Sequence, residues 1–395
     1  MRIFKPSGAL ILACLLSASA LWSSAHTPQK CDVLFVTYDM ADLNALKAVA
    51  GAFRPERPAP CFLAFGQARA KMMDDPRLVL TDVGAGEVSA WPRERLLSQA
   101  DLDQVNALGP KVVVTGMASA LQAQLLGSAS HKAFAFYDNF DPIVDAAGNG
   151  KEYIQAFLDQ TTHDEAPFTY LVPSDATGAS FDNDPRTKGK ERLTVGQPVL
   201  EEWDTLFATT DRRALRAQLG IAPDRRVIVF AGGYDTTYAP FFTLFVDTMK
   251  DMVDAQNLEV LITYHPKGGG VLERRLVQEA ASPHIRVIES EDKGGVATNK
   301  LATLASVFMC HKSSLGPQAI SQGLPMLYVA DPKDYTNLVL EKGLAHIVGT
   351  KQDLRERLEA LLQEDQPPVS LAPLGLPKEK ASAEIVRLIE DGLGS

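Results

Sequence analysis

The sequence predicts an α/β chain of two doubly wound parallel-sheet domains, on three observations. At 395 residues it is longer than one hydrophobic core usually fills, about 250 residues. Short, wholly apolar runs alternate with longer stretches at helical spacing, as strands buried on both faces alternate with crossover helices. These runs end in glycine-rich or polar loops, which a parallel sheet presents at its carboxyl edge. The content of 46% hydrophobic and 22% charged residues is ordinary for a globular chain. A net charge of −10 supplies no basic footprint, so nucleic acid is excluded as a default partner, whereas a small anion held in a local basic pocket is not.

At the N-terminus, Arg2 and Lys5 precede an apolar run from Gly8 to Leu16. Ala18-Ser19-Ala20 and Ser23-Ser24-Ala25 both suit a signal peptidase, and the run to Trp22 is short for a membrane span. Ile11-Leu12-Ala13-Cys14 has weak lipobox character. Residues 1–25 are therefore expected to be a signal peptide or a retained signal anchor. The protein is then exported, to the periplasm or beyond, or tethered to a membrane through this segment alone.

Cys31–Tyr38, Cys61–Phe65, Leu78–Val83, Lys111–Thr115, Lys132–Tyr137 and Phe168–Val172 read as strands of the first domain. Leu43–Phe53, Trp91–Leu108 and Gly116–Leu126 have helical spacing, and the polar run 174–192 reads as a loop. Gly84-Ala85-Gly86-Glu87 lacks the third glycine of a dinucleotide fingerprint. Helices near 199–207 and 211–219 lead into a second unit with strands at Arg226–Ala231, Leu258–Pro266, Val307–Cys310 and Met326–Val329. Further helices follow at 351–363 and 379–391, the last with an apolar stripe of Ile385, Ile389 and Leu393.

Three of the second unit's strands deliver chemistry to one rim. Arg226–Ala231 runs into Gly232-Gly233, where backbone can approach a ligand closely. Leu258–Pro266 delivers His265, Pro266 and Lys267. Val307–Cys310 delivers His311, Lys312, Ser313 and Ser314. Ser313 or Ser314 is a natural N-cap for Leu315–Gln322, Pro317 suits its first turn, and Gly323 with Pro325 ends it. Free backbone N–H groups at that helix start, two hydroxyls and Lys312 together favour an anion.

This arrangement resembles the C-terminal half of GT-B glycosyltransferases and their UDP-GlcNAc 2-epimerase relatives, over about residues 196–362. The His-Pro and Ser-Ser pair is similar to that of bacterial sialyltransferases. The resemblance implies two Rossmann-like domains, 27–195 and 196–372, facing across a cleft and joined at Leu193–Pro198. It also implies a terminal helix, 378–395, crossing back onto the first domain. A nucleotide diphosphate or similar anion would bind at Gly232, Gly233, His265, Lys267, Lys312, Ser313 and Ser314, with His265 on the phosphate or leaving oxygen. The base would come from Asp39, Asp42, Asp138 or Asp141 of the facing domain, Asp138 first. Gln318 stands where the family usually carries a ribose-binding glutamate, and an amide binds a hydroxyl without charge. A nucleotide sugar is the implied substrate. No cofactor is implied, and the cysteines and histidines show no metal-ligand spacing. The expected function is a metal-independent glycosyltransferase or sugar-nucleotide enzyme. The alternative is an exported, non-catalytic two-domain protein that binds a small anionic or sugar ligand. Oligomeric state is not legible.

Cys31 and Cys61 open what should be neighbouring parallel strands, about 4.8 Å apart, within the Cα range that a disulfide spans. A bond between them is expected.

Overall fold

The computed structural model describes residues 30–57, 59–84, 92–144, 151–163, 166–363 and 368–394. The expected N-terminal signal segment, Gly86-Glu87 and Trp91 lie outside the described residues. Among those described, no helix is long and apolar enough to cross a membrane.

The first sheet comprises β1 (Val33–Thr37), β2 (Cys61–Ala64), β3 (Val112–Thr115), β4 (Lys132–Phe136), β5 (Thr169–Val172) and β6 (Arg192–Thr194), in the order β2-β1-β3-β4-β5-β6. The second comprises β7 (Arg226–Ala231), β8 (Leu258–Thr263), β9 (Ile285–Val287), β10 (Val307–Cys310), β11 (Met326–Val329) and β12 (His346–Val348), in the order β12-β11-β10-β7-β8-β9. Every pairing is parallel. The central strands are buried throughout, which is why they read as unbroken apolar runs.

Three segments differ from the sequence expectation. Leu78–Val83 makes only one bridge, Leu78 to Phe62, because Leu80 turns left-handed (φ 51°) and ends the extended backbone. The helix expected over Trp91–Leu108 runs only from Gln99 to Ala107. Leu97 N–H donates instead to Gln124 Oε1 (2.8 Å), and Ser98 with Asp101 forms a capping box that starts the helix there. Ser98→Ala should therefore cost about 1 kcal/mol, read as a lower unfolding midpoint. The run 174–192 is not a plain loop. Ser174 caps a helix, Asp175–Ser180, and the next turn buries Phe181 against Tyr137 and Tyr170.

Helix Val199–Thr209 contacts both halves, touching helix Met40–Gly51 on one side and Leu315–Ser321 on the other. The terminal helix Ala381–Gly394 leaves the second half and packs on Met40–Gly51, β3 and β4. It buries Ile385 and Ile389 completely, each worth about 1.5–3 kcal/mol of apolar burial. Gly392 lets it come close, since a Cβ there would lie 3.1 Å from Lys132 Cβ. His131 Nδ1 meets Gly392 O at 3.3 Å, and Ser382 N–H donates to Glu201 Oε1 at 2.8 Å.

Cys31 and Cys61 are joined by a disulfide, Cα to Cα 6.0 Å. The bond fastens β2 to the start of β1 at the amino edge of the first sheet.

Candidate functional site

Strand order reverses between β1 and β3 in the first sheet and between β7 and β10 in the second. Ligands of open α/β sheets lie in the crevice outside the carboxyl ends at such points. The first crevice is filled by the protein itself. Asp42, 2% exposed, accepts from Tyr38 N–H (3.0 Å) and from Gln122 Nε2 (2.8 Å), and Gln122 Nε2 also reaches Val36 O (3.2 Å). A Cβ on Gly116 would sit 2.3 Å from Asp42 Oδ2, so only glycine fits beside this plug. Asp39 caps helix Met40–Gly51, accepting from Ala41 and Asp42 N–H. Both aspartates are thus committed to the loop's structure. Burial first, then the Asp39 and Asp138 charges, push the Asp42 carboxyl well above the usual range.

The second crevice is lined by loop side chains that reach solvent. After β10 the chain turns at Lys312, a non-glycine residue at φ 41°. Such left-handed strain costs about 1–3 kcal/mol and marks a loop held by its surroundings. Lys312 Nζ donates to Thr237 Oγ1 (2.9 Å), and Thr237 Oγ1 donates to Asp235 Oδ1 (2.7 Å). His311 is 2% exposed. Its Nδ1 lies 2.8 Å from Val329 O, and its Nε2 lies 3.2 Å from Asp235 Oδ2. Burial alone would raise the Asp235 carboxyl. Its bonds to Thr237 and the His311 and Lys312 charges outweigh that and hold it below the usual range.

Beside this crevice, His265 Nδ1 accepts from Lys267 N–H (3.2 Å), so the neutral ring carries its proton on Nε2. Burial, then the Lys267 charge, lowers the imidazole to about 4, which keeps it neutral at pH 7. The ring lies against Tyr234, centroids 4.2 Å apart, and Lys267 Nζ sits 4.5 Å from the same tyrosine centroid. The glycines before Tyr234 serve packing: a Cβ on Gly232 would meet Thr263 O at 2.8 Å, and one on Gly233 would meet His311 Cδ2 at 2.9 Å.

Ser313 Oγ accepts from Leu315 N–H (3.2 Å). Ser314 stands at the helix start, exposed, and makes no side-chain cap bond. Gln318 is half-buried in the first turns of helix Leu315–Ser321.

The loop after β4 faces the second half, since Asp141 and Glu341 repel and Asp141 also acts on Tyr328 and Tyr335. Asp138 is half-buried, and Gln197 Nε2 donates to its backbone oxygen. Burial, then the Asp39 charge, raises its carboxyl to about 8. Burial raises Asp141 to about 6, with Lys151 opposing. Tyr137 OH, 2.6 Å from Tyr153 OH, donates to Asp141 O (3.0 Å). At neutral pH Asp138 therefore holds a proton while Asp141 is mostly ionised, so of the expected bases Asp141, not Asp138, is free to accept a proton.

His265, Lys267, Lys312, Ser313 and Ser314 thus share the rim of the β8-β7-β10 ends, whereas the loop that carries Asp138 and Asp141 approaches the second half through Asp141, near Glu341, Tyr328 and Tyr335 beside β11. Sequence reasoning placed His311 at the rim without giving it a role and overlooked Tyr234, Asp235 and Thr237. The signal available was position alone, since all four lie just past β7 or β10, where the order reverses. Among the described residues no group of three or more His, Cys, Asp or Glu side chains could hold a metal.

No protein-family model matches the chain, nor does any curated protein sequence. Solved structures do. A Staphylococcus aureus MnaA–UDP co-structure superposes with TM-score 0.65 at 13% identity, covering 93% of this chain and 97% of that one. The UDP-GlcNAc 2-epimerase of Methanocaldococcus jannaschii, solved with UDP-GlcNAc and UDP, gives 0.62 at 11% identity over 91% and 99%. The wall teichoic acid polymerase TagF gives 0.57 at 12% over 94% and 91%. At these identities the likeness establishes the fold: two Rossmann-like halves arranged as in GT-B proteins.

Proposed function

We propose that the chain is a GT-B-type enzyme of sugar nucleotides, holding a nucleotide diphosphate at the second-sheet rim and its sugar toward Asp138 and Asp141. The observation that carries this reading is the pairing of unlike groups across the two halves. On one side stand donors for an anion, namely the neutral His265 Nε2–H, Lys267, Lys312 and Ser314. On the other stand two carboxyls whose environments separate them, one protonated and one ionised at pH 7, as acid–base chemistry requires. The fold-level likeness to proteins solved with UDP or UDP-GlcNAc adds support by analogy. The rim would stabilise the diphosphate's charge by fixed donors in a partly dry site, and Gln318 would contribute an uncharged hydroxyl contact.

Calorimetric titration with UDP tests this. Charge-assisted bonds are worth about 1.5–3 kcal/mol each, so the His265→Ala, Ser314→Ala double variant should bind UDP at least tenfold more weakly. Equal affinity in the variant removes the rim from consideration.

A second reading, an exported two-domain binding protein without turnover, is favoured by the Cys31–Cys61 disulfide, since such bonds persist in oxidising compartments. Residues 1–25 would then direct export. Determining the mature N-terminus and the thiol state of Cys31 and Cys61 in protein from its own compartment decides the location. Turnover of UDP-GlcNAc decides between enzyme and receptor.

A further inference from the structure

The two phenols beside Asp141 have no part in the chemistry so far. Tyr137 directly follows β4 and is wholly buried, its ring fixed against Phe181 with centroids 5.8 Å apart. Tyr153 stands in the first turn of helix Glu152–Gln160. The start of that helix is pinned in place: Lys151 N–H donates to Ile143 O (2.9 Å), just past Asp141, and Arg93 Nη1 donates to Tyr153 O (3.3 Å). Tyr137 OH lies 3.0 Å from Asp141 O and 2.6 Å from Tyr153 OH, and Tyr153 OH bonds the Asp141 side chain. Burial above all raises both phenols well above their usual range, so neither gives up its proton. A carbonyl or carboxylate oxygen only accepts, whereas a phenol donates one proton and also accepts. With Asp141 ionised, Tyr153 donates to the carboxylate and Tyr137 donates to Tyr153. With Asp141 protonated, the new proton goes to Tyr153, Tyr153 donates to Tyr137, and Tyr137 donates to Asp141 O. The same heavy atoms bond both states, with the two hydroxyls turned about.

We propose that Tyr153 is a positioning residue for Asp141, and that Tyr153 and Tyr137 reverse their hydroxyls each time Asp141 takes or returns a proton. This rests on the reading of Asp141 as the proton acceptor of the site. The other groups that face Asp141 serve one protonation state each. Lys151 favours the ionised carboxyl, whereas Glu341 from the second half and the neighbouring Asp138 favour the protonated one. Tyr328 and Tyr335 also feel its charge, and both stay protonated through burial. A fixed donor likewise stabilises the charged form alone. A reversible pair fits a group that must accept a proton and give it back within one turnover, since no side chain has to move between the two steps.

Carboxyl carbon resonances of the full chain, titrated by NMR, test this, with Asp141→Asn to identify the Asp141 signal. In wild type it should titrate near pH 6. Tyr153→Phe should raise that midpoint by about half a pH unit or more, because the ionised form loses a charge-assisted bond and the protonated form only a neutral one. Tyr137→Phe leaves Tyr153 free to face the carboxylate and should not raise it. In wild type the Tyr137 and Tyr153 Cζ resonances should shift with the same midpoint, although neither phenol ionises. A purely structural role would move both variants alike or neither, and either result overturns the proposal. So do phenol resonances that ignore the titration, a comparison made on wild type that holds even where a variant folds poorly. The pH profile of UDP-GlcNAc consumption adds the catalytic test: its acid limb should move with Tyr153→Phe, and a limb that stays in place overturns the positioning role. Wild type that leaves UDP-GlcNAc unchanged overturns the reading of Asp141 as a base, while the titrations still decide the hydroxyl pair.

Discussion

Asp138→Asn is expected to lower UDP-GlcNAc consumption by at least a hundredfold while making the folded chain more resistant to alkaline unfolding. The first effect follows from the role proposed for it as the protonated partner, since general acid or base groups contribute about 10²–10⁴ in rate. The second follows from linkage. Burial and Asp39 raise the Asp138 carboxyl to about 8 in the folded state, whereas an unfolded aspartate titrates near 3.9. The folded state then binds the proton more tightly than the unfolded one. The contribution to stability is fully present below pH about 4 and is lost as pH rises through about 8. Asparagine cannot release a proton, so the variant lacks that decline. Denaturation midpoints of wild type and variant should lie closest near pH 4 and diverge steadily up to pH 8 in the variant's favour. Asp141, raised to about 6, imposes a similar slope ending near pH 6 in both proteins. The same values predict a bell-shaped rate profile with limbs near 6 and 8, belonging to the carboxyl pair jointly. A variant that keeps its activity would assign Asp138 to the fold alone. One with an unchanged pH slope would show that the carboxyl is ionised when folded.

Loss of the disulfide has the next largest effect. Cys31 and Cys61 are 30 residues apart in sequence, and closing a loop of this size stabilises by roughly 2–4 kcal/mol, chiefly through the unfolded chain. Cys61→Ser should lower the unfolding free energy from urea titration by that amount, seen as a lower midpoint, and reductant should shift wild type but not the variant. No shift with reductant would mean that the thiols are free in the folded protein.

Much of the fold was legible because parallel strands buried on both faces leave unbroken apolar runs. Cys31–Tyr38 and Arg226–Ala231 declare themselves without any neighbour being known. Leu78–Val83 misled because its apolar content suits a strand while one left-handed residue, Leu80, ends the ladder, and sequence does not display φ. The helix at Asp175–Ser180 was hidden among turn formers, whose meaning depends on whether Ser174 caps and Phe181 finds a pocket. The site was legible as a rim but not as a network. His265 and Lys267 stand out as neighbours in sequence. His311 and Asp235 are brought together only by the strand order that sets β7 beside β10. Likewise the proton held by Asp138 depends first on burial and then on Asp39, from the loop of another strand, and no local pattern reveals it.

The terminal helix carries a consequence for how the chain is made. The strands of the first sheet are complete once Thr194 has been synthesised, and domains generally fold in order of emergence. Yet the layer that covers Met40–Gly51 and the outer side of β3 and β4 is Ala381–Gly394, which emerges only after the whole second sheet. Until then the first half presents to its surroundings the apolar face that Ile385 and Ile389 later occupy. A chain that stops short of this helix is therefore sticky at that face, and only the helix's emergence seals it.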